Sequence, residues 1–164
     1  MLRNPQLIAS LQTVVGAALW QCQALEESLI HILLIGIKID SNSDENIVEE
    51  IFKKYGELTL GQLANQIEKV PDVPLGLKQR LTLLKRERNW LAHKSWSDIL
   101  PHANTYPAKI LNNYLERIVK INDEALSLNK SFADVLDERI IKSGVKKEFL
   151  DKKAKEIYIR WLEG

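Results

Sequence analysis

The sequence holds a single cysteine, Cys22, so no disulfide can form within the chain. Zinc frameworks built on paired cysteines are excluded with it, no His/Cys cluster offers a metal site, and a reducing cytoplasm is the expected compartment. An excess of charge is also missing, since 23 Lys and Arg stand against 22 Asp and Glu. No overall field marks the chain for nucleic acid or membrane, and any basic surface has to be local. Long apolar runs are absent too. The most apolar stretch, LIHILLIGI at 29–37, is far shorter than the roughly 20 residues of a membrane span, and the first residues lack the pattern of an export signal. A soluble, unexported protein without a membrane partner is expected. Repeats, low-complexity tracts and shifts of composition do not appear, which leaves one domain over 1–164. Finally, no segment shows the sustained apolar and polar alternation of a half-buried strand.

What remains is helical spacing almost throughout, and the expected fold is all-α. A first helix is expected from about Pro5 to near Ile39, apolar around much of its circumference as a buried helix would be. DENIVEEIFKKY at 44–55 reads as a second, with acids first and lysines last, stopped by Gly56. Thr59 and Gln62 make a capping-box pattern that opens a third over 60–70. The fourth spans about Leu75 to Ile99, followed by a loop, LPHANTYP. A fifth covers about 108–128, and two more follow at 132–144 and 145–164, separated by Gly144.

On a wheel of about 100° per residue, Leu77, Leu81, Leu84 and Leu91 of the fourth helix form one stripe with Arg88 at its centre. A buried arginine cannot shed its proton and needs an anion, several acceptors or a path to the surface. The first helix repeats the anomaly: Ile8, Val15, Leu19, Cys22, Ile30, Leu33 and Ile37 share a face that Glu26 interrupts. Two opposite charges breaking two apolar stripes imply that the helices pack together with Glu26 against Arg88. Such a pair is weak evidence for stability, so it invites a further role. Asn89 and His93, spaced i,i+4, put two neutral hydrogen-bonding groups beside the arginine. A lone Glu–Arg pair such as Glu26 and Arg88 inside a helical bundle is more often structural than catalytic. Trp90 and Trp96 have indoles that can stack on bases but read first as core or interface, His31 reads as core, and His102 as an exposed loop residue.

RNWLAH at 88–93, an arginine followed by a polar residue and then a histidine five positions after the arginine, resembles the Arg-x4-His motif of HEPN domains, the higher-eukaryote and prokaryote nucleotide-binding superfamily. The resemblance covers about residues 5–128 and implies an up-and-down helical bundle, with 129–164 as a C-terminal helical extension. It also implies a metal-independent endoribonuclease without cofactors, often a toxin or phage-defence effector, acting as a homodimer whose paired motifs line one cleft. Carried onto this chain, Arg88 contacts the scissile phosphate, Asn89 orients the groups and His93 transfers protons. Glu26 supports Arg88, and Lys94 and Trp96 are candidate RNA contacts. The chemistry suits these residues: attack by the 2′-hydroxyl needs a base, an acid and a cation for the charge gathering on the phosphorus. One position departs from the pattern. Members paired with a nucleotidyltransferase antitoxin carry a modifiable tyrosine two residues after the histidine, and here Ser95 stands there. The other readings of the same residues are an inactive HEPN module that binds RNA, nucleotide or protein, and a helical scaffold without a nucleic-acid role.

Overall fold

The computed structural model describes residues 5–36, 50, 53–103 and 108–143. Among the described residues five helices are delimited, α1 (Pro5–Gly36), α2 (Leu60–Ile67), α3 (Leu75–His93), α4 (Ser95–Ala103) and α5 (Ala108–Ser143), and residues 50 and 53–56 are helical as well. The fold is all-α, with no strand among the described residues. No helix there is long and apolar enough to cross a membrane.

Side-chain pairs fix the directions. Arg80 bonds Glu124 and Arg117 bonds Glu87, so residue numbers rise along α3 as they fall along α5 and the two are antiparallel. Ser28 donates to Asn129, and Arg139 donates to the Ile32 carbonyl, so α1 and α5 run together. Lys85 reaches Asn65 and Thr82 reaches Glu68, which sets α2 antiparallel to α3. α3 therefore runs against α1, α2 and α5. Its apolar stripe, Leu81, Leu84 and Leu91, meets Leu25 and Leu29 of α1, Leu63 of α2 and Ile118 of α5 in one core. Truncating a fully buried ring such as Phe132 there is expected to cost about 3–5 kcal/mol.

Local chemistry explains where the helices end. α2 opens at Thr59, whose N–H donates to Gln62 Oε1 at 2.9 Å, the arm of the cap that the sequence pattern predicts. It closes at Ile67, three residues before the expected end, where Lys69 and Val70 turn back onto Gln66 and Ile67. The expected fourth helix over 75–99 is two helices, because it breaks at Lys94. The Ser95 hydroxyl, 4% exposed as a residue, donates to the Leu91 carbonyl and offers it a side-chain partner. The Trp90 indole N–H then bonds Asp98 Oδ2 at 2.8 Å, and Asp98 sits in the first turn of α4 where an acid favours a new start. α4 continues through Pro101 to Ala103, so the expected loop at 100–107 is helical in its first half, and His102 lies in a helix rather than a loop. Residues 104–107 lie outside the described residues, as does the side chain of His102.

The expected break near 129–131 does not occur, and α5 runs unbroken for 36 residues across it. Asn129 spends its side chain on Ser28 of α1, Ser131 bonds back to the Ser127 carbonyl, and Phe132 is fully buried, so polar residues that read as breakers are used within the packing. Residues 37–39 of the expected first helix, most of the expected second and all of the last lie outside the described residues.

Candidate functional site

α1 brings Glu26 to the core-facing side of α3, one turn after Cys22. Glu26 Oε1 accepts the Leu60 N–H at 2.9 Å, and the same oxygen lies 3.7 Å from Arg88 Nη2. Leu60 is the first residue of α2, whose leading N–H groups have no partner within the helix, so the carboxylate caps α2 from outside. Both charged side chains are largely enclosed, at 18% exposed for Glu26 and 22% for Arg88. The packing inferred from the two interrupted stripes is therefore present, but the glutamate's nearer partner is a backbone N–H that the stripes did not indicate.

Burial pushes the Glu26 carboxyl above its ordinary value, against the lowering effect of the Leu60 N–H and then of Arg88. The Cys22 thiol is pushed up to about 11, first by burial, with Arg88 lowering it and Glu26 raising it. It is accordingly a neutral, buried group near neutral pH and not a nucleophile. The Arg88 side chain makes no hydrogen bond among the described residues, and its Nε is buried without a partner there. Arg139 shares an unpartnered Nε, yet its terminal nitrogens bond the Ile32 carbonyl and Asp72. Among the described residues Arg88 thus stands apart as an enclosed guanidinium without a side-chain hydrogen bond.

Around it, the other expected site residues are on the surface. Asn89, His93 and Lys94 are exposed, His93 in the last turn of α3 and Lys94 at the break. Trp96 is 47% exposed. Arg88 and His93 lie five residues apart on one helix and so point about 140° apart. The structure brings Glu26 and Arg88 together; it leaves His93 on the open surface of the same helix. Trp90 is core: it is 9% exposed, Arg117 lies 3.6 Å over its ring, and Tyr114 stacks on it at 6.2 Å. His31 is half-buried within the apolar end of α1 and has partners of its own. Among the described residues no group of three or more His, Cys, Asp or Glu could hold a metal ion.

Two features escaped the sequence. The Leu60 N–H is invisible to side-chain patterning, although the Thr59 cap located the helix end that presents it. Trp20, at 71% exposed on α1, is the other: it lies in a segment, 5–25, without a single charge, where an exposed indole leaves no mark in the spacing of buried faces. No family model matches the chain, and neither a curated protein nor a solved structure does.

Proposed function

We propose that the chain is a metal-independent endoribonuclease of the HEPN type, in which Arg88 binds the scissile phosphate and His93 moves protons. The observation that carries this reading is the state of Arg88. An arginine held at 22% exposure beside a carboxylate, with no hydrogen bond to its fork, is paired well enough to be tolerated and free enough to take a second anion. RNA supplies that anion, and it also supplies its own nucleophile. The 2′-hydroxyl loses its proton to a base and attacks the adjacent phosphorus; the 5′-oxygen of the next nucleotide leaves with a proton from an acid. The products are a 2′,3′-cyclic phosphate and a 5′-hydroxyl. Imidazole serves as base or acid near neutrality, and the guanidinium offsets the added charge on the phosphorane. Asn89, exposed one residue on, orients the phosphate or the imidazole, while Lys94 and Trp96 extend the surface along the strand.

Because Arg88 and His93 of one helix diverge, one site uses the arginine of one copy and the histidine of another across a twofold axis. The working unit in this reading is a homodimer. Mixing Arg88→Ala with His93→Ala under conditions of subunit exchange should restore part of the cleavage, since one mixed site keeps both groups. No recovery despite proven exchange would mean that each chain supplies its own pair or that all four side chains are needed together. As a toxin or defence effector the protein would need restraint, and Ser95 offers no tyrosine hydroxyl and is buried. An antitoxin would act by binding rather than by nucleotide transfer at that position.

The test is cleavage of a short RNA in excess EDTA. Cyclic phosphate ends and resistance of a fully 2′-O-methylated strand are the expected outcome. Strict need for magnesium or manganese, or cutting of the methylated strand, would contradict the mechanism.

A further inference from the structure

We propose that Glu26 is a positioning residue that ties the start of α2 to Arg88: its carboxylate is anchored by the Leu60 N–H, while Arg88 is only tethered and can move its guanidinium onto a phosphate oxygen. The inference rests on the reading of Arg88 as the phosphate-binding group and adds how that group is held. The distances carry it. At 2.9 Å the Leu60 contact is a full hydrogen bond, and at 3.7 Å the Arg88 contact is not one. An arginine committed to a carboxylate looks different in this molecule: Arg80 grips Glu124 with Nε and Nη2 at 2.8 and 3.0 Å.

The anchor matters because it answers what happens when Arg88 leaves. A buried carboxylate stripped of its only counter-charge is costly. Glu26 would still face the N-terminal end of α2 with the Leu60 N–H in place, so its carboxylate keeps one partner while the guanidinium turns to the substrate. The neighbouring Cys22 thiol does not compete, since burial pushes it up to about 11 and leaves it neutral near neutral pH. A phosphate diester presents two anionic oxygens to the planar fork, the two-point geometry that Glu26 withholds. The glutamate thus has two opposed effects on the reaction. It draws Arg88 to a defined starting place, and it competes with the phosphate for it.

Glu26→Gln separates these effects, because an amide oxygen still accepts the Leu60 N–H but carries no charge. Binding of a 2′-O-methylated RNA, followed by fluorescence anisotropy, should tighten several-fold in this variant. Its single-turnover cleavage of ordinary RNA should slow by about tenfold or more, because the arginine is no longer centred. Exchange of the Leu60 amide should match the wild type in Glu26→Gln and accelerate in Glu26→Leu, which loses the cap. A purely structural glutamate predicts instead that Glu26→Gln binds and cleaves as the wild type does, and that result would overturn the proposal. So would equal acceleration of Leu60 exchange in both variants. If Glu26→Leu does not fold, Glu26→Gln carries the test alone. If the wild type cleaves no RNA, the endoribonuclease reading fails, and inorganic phosphate followed at the Arg88 Nε–H resonance decides this proposal separately. A phosphate-induced shift that needs less phosphate in Glu26→Gln supports it, and no shift in either protein refutes it.

Discussion

Glu87 of α3 holds Arg117 of α5 through two hydrogen bonds at 2.7 and 3.1 Å, whereas Arg88, the next residue along α3, meets Glu26 only at 3.7 Å. The first pair is the more exposed, at 39% and 40%, and the better made, with the guanidinium also laid 3.6 Å over Trp90. The second is the more enclosed and the less complete. Stability alone would favour the opposite arrangement, since an enclosed charge loses more by lacking hydrogen bonds than an exposed one. The difference separates a guanidinium spent on two hydrogen bonds and an aromatic face from one that, among the described residues, makes no side-chain hydrogen bond, and the two pairs meet α3 at adjacent positions.

The comparison breaks most sharply on activity. Arg88→Ala should reduce RNA cleavage by roughly 10²–10⁴-fold, the range expected when a charge-stabilising or proton-transferring group is removed, while Arg117→Ala cleaves within a few-fold of the wild type. Comparable losses in both variants would mean that the two arginines do not have separate tasks. On stability the order reverses in kind. Arg117→Ala gives up a surface ion pair and a cation–π contact, about 1–2 kcal/mol together, read as a lowered denaturant midpoint. Arg88→Lys keeps the charge and loses the fork, so it should change the unfolding free energy by less than about 0.5 kcal/mol yet still cleave poorly. A Lys variant as active as the wild type would show that only the charge matters.

The smallest effect is the pH dependence that Glu26 contributes. Its folded carboxyl binds a proton more readily than the ordinary value of 4.5 implies, because burial outweighs the Leu60 N–H and Arg88. The folded chain therefore holds more protons than the unfolded one just above that value, and this group's contribution to stability falls as pH rises from 4.5 to its raised folded value, then levels off. Denaturant midpoints of wild type against Glu26→Gln, measured at steps through this range, should diverge in that direction. Divergence in the other direction would mean that the Leu60 N–H and Arg88 outweigh burial.

The helical class and the Glu26–Arg88 juxtaposition were legible because each charge interrupts an apolar stripe, and a stripe is a property of spacing alone. The joints were not. Ser95 and Asp98 break the long helix only because Leu91 and Trp90 lie within reach, and Asn129 fails to break α5 because Ser28 comes to meet it. Those partners are supplied by the fold, so spacing along one segment could not reveal them. The same holds for the site: the Arg-x4-His spacing names Arg88 and His93, but whether the arginine is committed or free is decided by Leu60, 34 residues away from Glu26 in the chain.

In the proposed reaction Arg88 and His93, rather than their structural neighbours, cut RNA without a metal ion. One RNA incubated in excess EDTA with the wild type, His93→Ala and Arg117→Ala tests it most directly, with product ends identified by mass. The wild type and Arg117→Ala should give 2′,3′-cyclic phosphate fragments, and His93→Ala should leave the RNA intact. Equal cleavage by His93→Ala, or none by any of the three until magnesium is added, would contradict it.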